Sequence, residues 1–598
     1  MVTPHANRLI GNATEGNVAM STDLPHDRSL PDLLSPVKGR SRSRALPRWA
    51  WMLLLVYLCA VSVILSLDAL DNAIGNILTL VCTFLTCSAL FIWFCFFSGY
   101  PTAARKTVAI ATPAAIVVLL ALFRIDGVDG VLIPQLRFRW QSKPDELLTS
   151  PILPQPRTTA VSIDSASDDS KDAQGSIEKS SGPMPEIRAD VTTTTPQDFP
   201  QFLGPHRSNW LPEPTLDPDW SQNPPKLVWQ NSIGAGWSAF SVVNGFAVTL
   251  EQRGEDELVV CYEASTGKPV WVHTEKTRHD TTLGGVGPRS TPTIVDGKIY
   301  ALGATGILNC LEGATGNVLW QHRLLEEYGL TPDEDIKNVA WGRSASPLVI
   351  DGLVVVPAGG PAAGPKVSLV AFDKDSGSKV WEGGDDQIAY ASPAVGLLAG
   401  VRQVLSVNET TVTGHDPETG KVFWSFAWPG MSNQAANTSQ AIALAGDRVF
   451  VSKGYTGGSK FLKVECDDKA AWSATKIWED SKMMKTKFTN VVLYEDHIYG
   501  LSDGTLECIE LATGKRCWKH GRYGHGQILG VRDLLIVVAE TGEVALVTLT
   551  PKEHQELGRF AALEGKTWNN PALYGRYLLV RNSEQAACYE LPLAGAAH

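Results

Sequence analysis

The sequence predicts an all-β fold, a closed ring of eight four-stranded sheets, preceded by three transmembrane α-helices. Three observations predict it: a Thr-Gly and Trp motif that recurs after residue 260, gaps of 40 to 61 residues between successive tryptophans, and three nearly uncharged stretches confined to residues 49–123. The 598 residues carry Asp+Glu 63 against Lys+Arg 52, a net charge of −11. An acidic balance with no basic stripe in the C-terminal part argues against nucleic acid as a partner. Mean hydropathy is −0.03, the average of an apolar N-terminal part and a polar C-terminal one.

Residues 1–48 are rich in Ser, Pro and Asn, end in the basic run Lys38, Arg40, Arg42, Arg44 and Arg48, and read as a disordered cytoplasmic tail. Trp49–Leu67, Ala73–Phe97 and Thr107–Phe123 follow as three membrane spans within 49–123. Each lies within the roughly 17 to 25 residues that cross a bilayer. Trp49, Trp51 and Tyr100 stand where interfacial aromatics belong. Basic residues before the first span, and Arg105 with Lys106 before the third, mark one side, whereas Asp68 to Asn72 carry none. The positive-inside rule then makes the N-terminus cytoplasmic and everything after the third span extracytoplasmic. Residues 124–198 mix Ser, Asp, Thr, Pro and Lys without period and read as a disordered linker.

From 199 to 598 one unit repeats. Glu263 to Gly267 lead to Trp271, Glu312 to Gly316 to Trp320, Asp373 to Gly377 to Trp381, Asp416 to Gly420 to Trp424, and Glu510 to Gly514 to Trp518. Degenerate copies end at Trp478 and Phe560, and Trp229 opens the series. The Gly supplies the left-handed residue of a tight turn, and the acidic and Thr side chains bond the local backbone. The Trp on the following strand packs on the neighbouring unit; burying about 150 to 250 Å² at ~25 cal/mol per Å² contributes at most about 4 to 6 kcal/mol. The structural docking residues are therefore Trp229, Trp271, Trp320, Trp381, Trp424, Trp478 and Trp518, with gaps of 42, 49, 61, 43, 54 and 40 residues. A four-stranded propeller blade needs about 40 to 50.

The second unit shows the pattern, with strands over Ser290–Ile294, Lys298–Leu302, Ile307–Leu311 and Val318–Arg323, the first two joined through Asp296-Gly297. After Phe560 only three strands remain, around Asn569–Leu573, Tyr577–Arg581 and Ala586–Leu591, while Lys226–Asn231 is a fourth strand without the first three. Joining them closes eight blades and removes a free sheet edge. Seven blades result if one degenerate unit is an insertion.

These motif copies, with Asp198 to Pro205 (DFPQFLGP) ahead of the ring, resemble the PQQ-binding-like β-propeller repeat family over about 199–595. That family includes quinoprotein alcohol dehydrogenases and the propeller lipoprotein of the outer-membrane β-barrel assembly machinery. The resemblance implies a bacterial envelope protein, here on the inner membrane with a periplasmic propeller, and does not by itself imply bound quinone.

Residues just before the inner strands share one funnel: Trp237, Arg289, Trp341, Arg343, Tyr390, Asn437, Lys487, His525, Trp568 and Asn569. Two readings of this set stand. It is a pocket for a small anionic or planar ligand, or its groups satisfy exposed strand ends and inner loops. By the resemblance, a quinoprotein dehydrogenase calls for a pair of adjacent cysteines, a stacking Trp, calcium and an Asp base. The chain has no Cys-Cys pair, and its funnel set has no carboxylate, so no catalytic residue and no metal ligand is assigned. Cys261, Cys310, Cys508 and Cys588 fall at equivalent places, with Cys466 as a fifth case, and Cys508 lies near enough to Cys517 for a pairing to stay open. The function expected is a membrane-anchored extracytoplasmic scaffold binding envelope proteins or a small ligand. The alternative is an oxidoreductase using PQQ with calcium.

Overall fold

The structure, a computed structural model, describes residues 44–66, 72–151, 153, 188–432, 435–455 and 457–595. The expected tail, 1–48, lies almost wholly outside them.

Eight antiparallel four-stranded sheets form the ring: blade 1 over 241–275, blade 2 over 293–323, blade 3 over 348–383, blade 4 over 394–427, blade 5 over 442–480, blade 6 over 492–522, blade 7 over 527–561, and blade 8 over 572–590. Blade 8 takes its outer strand from Lys226–Ser232, which pairs with Gln585–Glu590 and sets Trp229 opposite Cys588. Closure by the early strand is thus as expected. A fifth strand, Trp210–Leu211, adds in parallel to the inner edge of blade 7.

The repeated motif explains how blades dock. Gly267, Gly316, Gly377, Gly420 and Gly514 take φ between +66° and +76°. A Cβ on any of them would stand within 2.4 to 2.8 Å of the indole of the preceding blade's Trp. Glycine is therefore required twice, by the turn and by the ring it covers. Thr266 donates to Glu263 at 2.6 Å, and Thr513 to Glu510 at 2.6 Å, which holds the turn. Six docking tryptophans donate Nε1–H to a carbonyl of the next blade at 2.8 to 3.2 Å. Trp424 differs. The next blade lacks the Thr-Gly turn, and Trp424 donates instead to Gln403 of its own blade at 2.7 Å.

The repeated cysteines face these tryptophans across the sheet: Cys261 opposes Trp271, Cys310 opposes Trp320, and Cys508 opposes Trp518. They are small apolar fillers, free and buried, and burial pushes the thiols of Cys310 and Cys588 up to about 12. Cys466 does not belong to this set, because it is exposed and opposes Trp472. Cys508 and Cys517 are both free thiols.

Between blades, apolar side chains of facing sheets make the core. At the inner rim a backbone N–H of one blade donates to a side-chain oxygen of the next: Ala239 to Thr291, Thr291 to Ser346, Ser346 to Ser392, and Gln440 to Asn490, at 2.9 to 3.3 Å.

The N-terminal part has three helices, α1 (Arg48–Ser66), α2 (Asn72–Ile92, continued by a π-turn Trp93–Phe97) and α3 (Thr102–Leu122). Three spans were expected; among the described residues, two helices, Asn72–Phe97 and Thr102–Leu122, are long and apolar enough to cross a membrane. α1, at 19 residues, runs up to the edge of the described residues at Ser66.

Part of the expected linker is ordered. Phe123–Val128 and Pro134–Phe138 form a hairpin, termed the neck hairpin, followed by a 3₁₀ turn at Pro144–Leu147. Distant contacts order it: Gly130 N–H donates to Glu540 at 2.7 Å, and Arg278 binds the buried Asp145 at 2.6 Å. Residues 189–191 also pack, with Ala189 and Val191 buried beside blades 1 and 2.

Candidate functional site

The central channel is closed at one end by residues 199–211, which cross the ring. Phe199 bridges Val242 of blade 1, and Arg207 donates to the carbonyls of Ser346 and Pro347 at 3.0 and 2.9 Å. Gln440, at the start of blade 5, donates to the Arg207 carbonyl, and Trp210 pairs with Gly530 of blade 7. Burial pushes the Arg207 guanidinium down to about 9. The stretch from Phe199 to Pro205 is thus the channel floor, and Phe202 lines the cavity above it.

That cavity holds about 120 Å³ and brings together Trp237, Arg289, Trp341, Tyr390 and Trp568 from the expected set. Their rings, with Phe488, make a continuous aromatic layer. Trp237 meets Trp568 at 4.9 Å, Trp568 meets Phe488 at 4.9 Å, Phe488 meets Trp341 at 5.7 Å, and Trp341 stacks on Tyr390 at 4.9 Å and 21°. Arg289 is half-buried, and its desolvation pushes the guanidinium down to about 10. It donates to the carbonyls of Gly284 and Gly285 at 2.6 and 3.0 Å, and to that of Gly287, so it clamps the 284–287 loop. Trp237 Nε1–H also reaches the Gly284 carbonyl, at 2.7 Å.

The other expected residues are used elsewhere. Arg343 is buried against Asp335 at 2.8 Å and the Ala358 carbonyl, and anchors the short helix Pro332–Asn338. Asn437 spends its amide N–H groups on the carbonyls of Asn408, Glu409 and Trp428. Asn569 does the same with Gly236 and Ser238. Lys487 and His525 lie outside the cavity lining, where both face Asp503, at 3.7 and 3.8 Å. Lys485 joins them at 3.8 Å.

Sequence reasoning missed Phe202, Thr438, Phe488, Gln527 and Asn570 as lining residues. Thr438, Phe488 and Asn570 each directly follow a residue it named, and Gln527 lies two beyond His525, so the channel register was offset by one or two positions. Phe488 turns inward on a φ of +63°, a left-handed value rare for an aromatic residue, and nothing local in the sequence announces it. Four polar atoms beside the cavity have no hydrogen-bond partner among the described residues: Trp341 Nε1, Thr438 Oγ1, Gln527 Oε1 and Asn570 Oδ1.

Above the aromatic layer sits the neck hairpin. Glu540 ties the two together, accepting from Gly130 N–H and from Trp568 Nε1–H at 2.9 Å. Lys566 lies over the faces of Trp568 and Trp237 at 4.4 and 5.1 Å and donates to the Val128 carbonyl at 3.0 Å. Asn72 N–H, at the start of α2, reaches Asp503 at 3.2 Å, and Asn76 donates to the Val131 carbonyl at 3.0 Å. The mouth of the channel therefore faces the helices.

The family model described as "Outer membrane protein assembly factor BamB", PQQ_2, matches residues 221–330 and 255–520. The chain belongs to that family. Among curated relatives, outer membrane protein assembly factor BamB of Shewanella oneidensis is 22% identical over 304 residues, 50% of this chain and 72% of that protein. Quinoprotein alcohol dehydrogenase PedH of Pseudomonas putida is 25% identical over 194 residues, 31% of this chain and 29% of that protein. Among solved structures, a europium-containing methanol dehydrogenase superposes with a TM-score of 0.51 at 11% identity, over 66% of this chain and 98% of that one, a likeness of fold. The relatives thus include an assembly factor and a dehydrogenase, and likeness to them does not choose between the two.

Proposed function

We propose that the chain is a membrane-anchored, extracytoplasmic propeller that serves as a binding scaffold in the bacterial cell envelope. The observation that carries this is how the ring is held: α2 and the neck hairpin grip one face through Asp503, Glu540 and Lys566. The opposite face and the outer blade edges are left for partners. Those edges carry exposed apolar side chains on the fourth strands, among them Leu227, Leu319, Val380 and Ile477. Free outer edges of this kind suit strand-to-strand or apolar docking with envelope proteins. The likeness to an assembly factor over most of that factor's length supports the same reading.

Orientation follows from the helix ends. Asn72 at the start of α2 stands at the propeller, as does the end of α3, which leads into the neck hairpin. Arg48, Arg105 and Lys106 fall at the opposite ends of their helices. By the positive-inside rule, cations on the far side support a cytoplasmic far side and a periplasmic ring.

The test has two arms. An alkaline phosphatase fused after residue 595 is expected to be active in intact cells, and an inactive fusion would overturn the location. A photo-crosslinking residue placed at Leu319 or Val380 is expected to give discrete adducts with envelope proteins in living cells. Adducts absent from every outer-edge position, alongside dye reduction with alcohols by the purified chain, would replace the scaffold by an oxidoreductase.

A further inference from the structure

The dehydrogenase relatives raise the question of whether the chamber fits their cofactor, the tricyclic PQQ. The cavity of about 120 Å³ is well under the roughly 300 to 1,000 Å³ of larger ligand sites. PQQ carries three carboxylates, whereas among the described residues Arg289 lines the chamber with Lys566 over the rings of Trp568 and Trp237, and Arg289 already gives three hydrogen bonds to the 284–287 loop. No group of three or more His, Cys, Asp and Glu is placed to hold a metal among the described residues. The residues do not fit the family quinone.

They fit something smaller. The aromatic layer of Trp237, Trp568, Phe488, Trp341 and Tyr390 gives a planar ring faces to lie against, and Phe202 closes the floor. The polar atoms divide by position. Arg289 precedes blade 2 and Trp341 precedes blade 3, so two donors adjoin on one side of the chamber. In a ring of eight the blade opposite blade 2 is blade 6, and Thr438 and Gln527 stand on its two neighbours, blades 5 and 7. Gln527 is 1% exposed, and its amide is oriented by two bonds: Nε2 donates to the Phe488 and Trp568 carbonyls at 2.8 Å each. Among the described residues its Oε1 is left without a partner, as are Trp341 Nε1 and Thr438 Oγ1. A buried acceptor of this kind costs stability unless a ligand donor meets it.

We propose that the chamber binds a single planar aromatic ring carrying one anionic group toward Arg289 and Trp341 and a hydroxyl toward Gln527 and Thr438. The guanidinium keeps N–H groups beyond those given to the loop, and its charge has no carboxylate among its hydrogen-bond partners. An aromatic hydroxy acid satisfies each of these three groups and leaves Asn570, which precedes blade 8, unmet. This proposal stands apart from the scaffold reading, since a ring partner at the outer edges and a small acid in the channel are independent.

The test is calorimetric titration of the full chain in detergent with 4-hydroxybenzoate, phenol, benzamidine, and PQQ with calcium. 4-Hydroxybenzoate is expected to bind one to one, at least tenfold tighter than phenol or benzamidine. Arg289→Gln is expected to weaken it about 10- to 100-fold and to leave phenol unchanged. Trp341→Phe, which keeps a ring and removes only the N–H, is expected to weaken it about 3- to 10-fold while the unliganded melting temperature stays within a few degrees. Equal binding of benzamidine, an unchanged affinity in both variants, the absence of binding by 4-hydroxybenzoate, or stoichiometric binding of PQQ with calcium would each overturn the proposal.

Discussion

Glu257 shows what a single buried carboxyl does to this ring. It is 4% exposed on the third strand of blade 1, and its Oε2 accepts the Ala304 N–H of blade 2 at 3.2 Å. Burial pushes its carboxyl up to about 7 from an ordinary 4.5, with the Ala304 bond and the charge of Arg289 opposing the rise. Between those two values the folded chain holds a proton that the unfolded chain has released, so stability falls as pH rises through the window. Glu257→Gln keeps the acceptor and removes the ionisation. At pH 5 the variant is expected to melt close to the parent. At pH 8 it is expected to be the more stable by up to about 3 kcal/mol, the equivalent of roughly 2.5 pKa units. Thermal unfolding at the two pH values checks this, and a difference that does not change with pH would remove ionisation as its cause.

At the scale of elements, the docking turn and the neck hairpin differ in how far their order is local. Gly316 and Gly352 both sit at φ near +80°, at +76° and +81°, but a Cβ at Gly316 would stand 2.5 Å from Trp271, whereas one at Gly352 meets nothing within 4 Å. Gly352→Ala is expected to cost about 1 to 2 kcal/mol for the backbone alone. Gly316→Ala is expected to cost about 1 to 3 kcal/mol more, for pushing an indole off the next blade. Denaturant midpoints of the two variants separate the terms; equal losses would mean that the Gly-on-Trp contact contributes nothing. This turn was legible in the sequence because its acidic residue, Thr, Gly and Trp fall within ten positions, and because the pattern repeats. The neck hairpin was not legible, since Phe123–Phe138 contains Pro134 and scattered charge and is ordered by Glu540 and Lys566, about 400 residues away. The funnel was legible by half. Residue type and approximate place pointed to Trp237, Arg289, Trp341, Tyr390 and Trp568. Which side chain turns in depends on features such as the left-handed Phe488 and on tertiary partners such as Asp335, which takes Arg343 away from the channel.

At the scale of the whole molecule, stability rests on closure. Seven blades are continuous in sequence, whereas blade 8 joins strands more than 350 residues apart: Lys226–Ser232 and Gln585–Glu590. Its Trp229 then docks on blade 1 through the Ala264 carbonyl at 2.8 Å and covers Gly267, so this one strand completes a sheet and a blade interface together. The seam has further links. Arg581 of blade 8, 1% exposed, donates to Thr249 and to the Leu250 carbonyl of blade 1 at 2.8 and 2.9 Å, and burial pushes its guanidinium down to about 10. Removing residues 226–232 would expose the ladder groups of Gln585–Glu590 and the apolar face around Cys588 at once. The deleted chain is expected to melt well below the parent and to self-associate through that free edge, as read by scanning calorimetry and light scattering. A peptide spanning 224–234 added in trans is expected to restore a monodisperse species, because the missing strand needs only an antiparallel partner and a pocket for Trp229. Replacing Trp229 by Ala in that peptide separates the two contributions. Rescue without the indole would assign closure to the hydrogen-bonded ladder, and loss of rescue would assign it to the blade contact that the repeated motif builds around the rest of the ring.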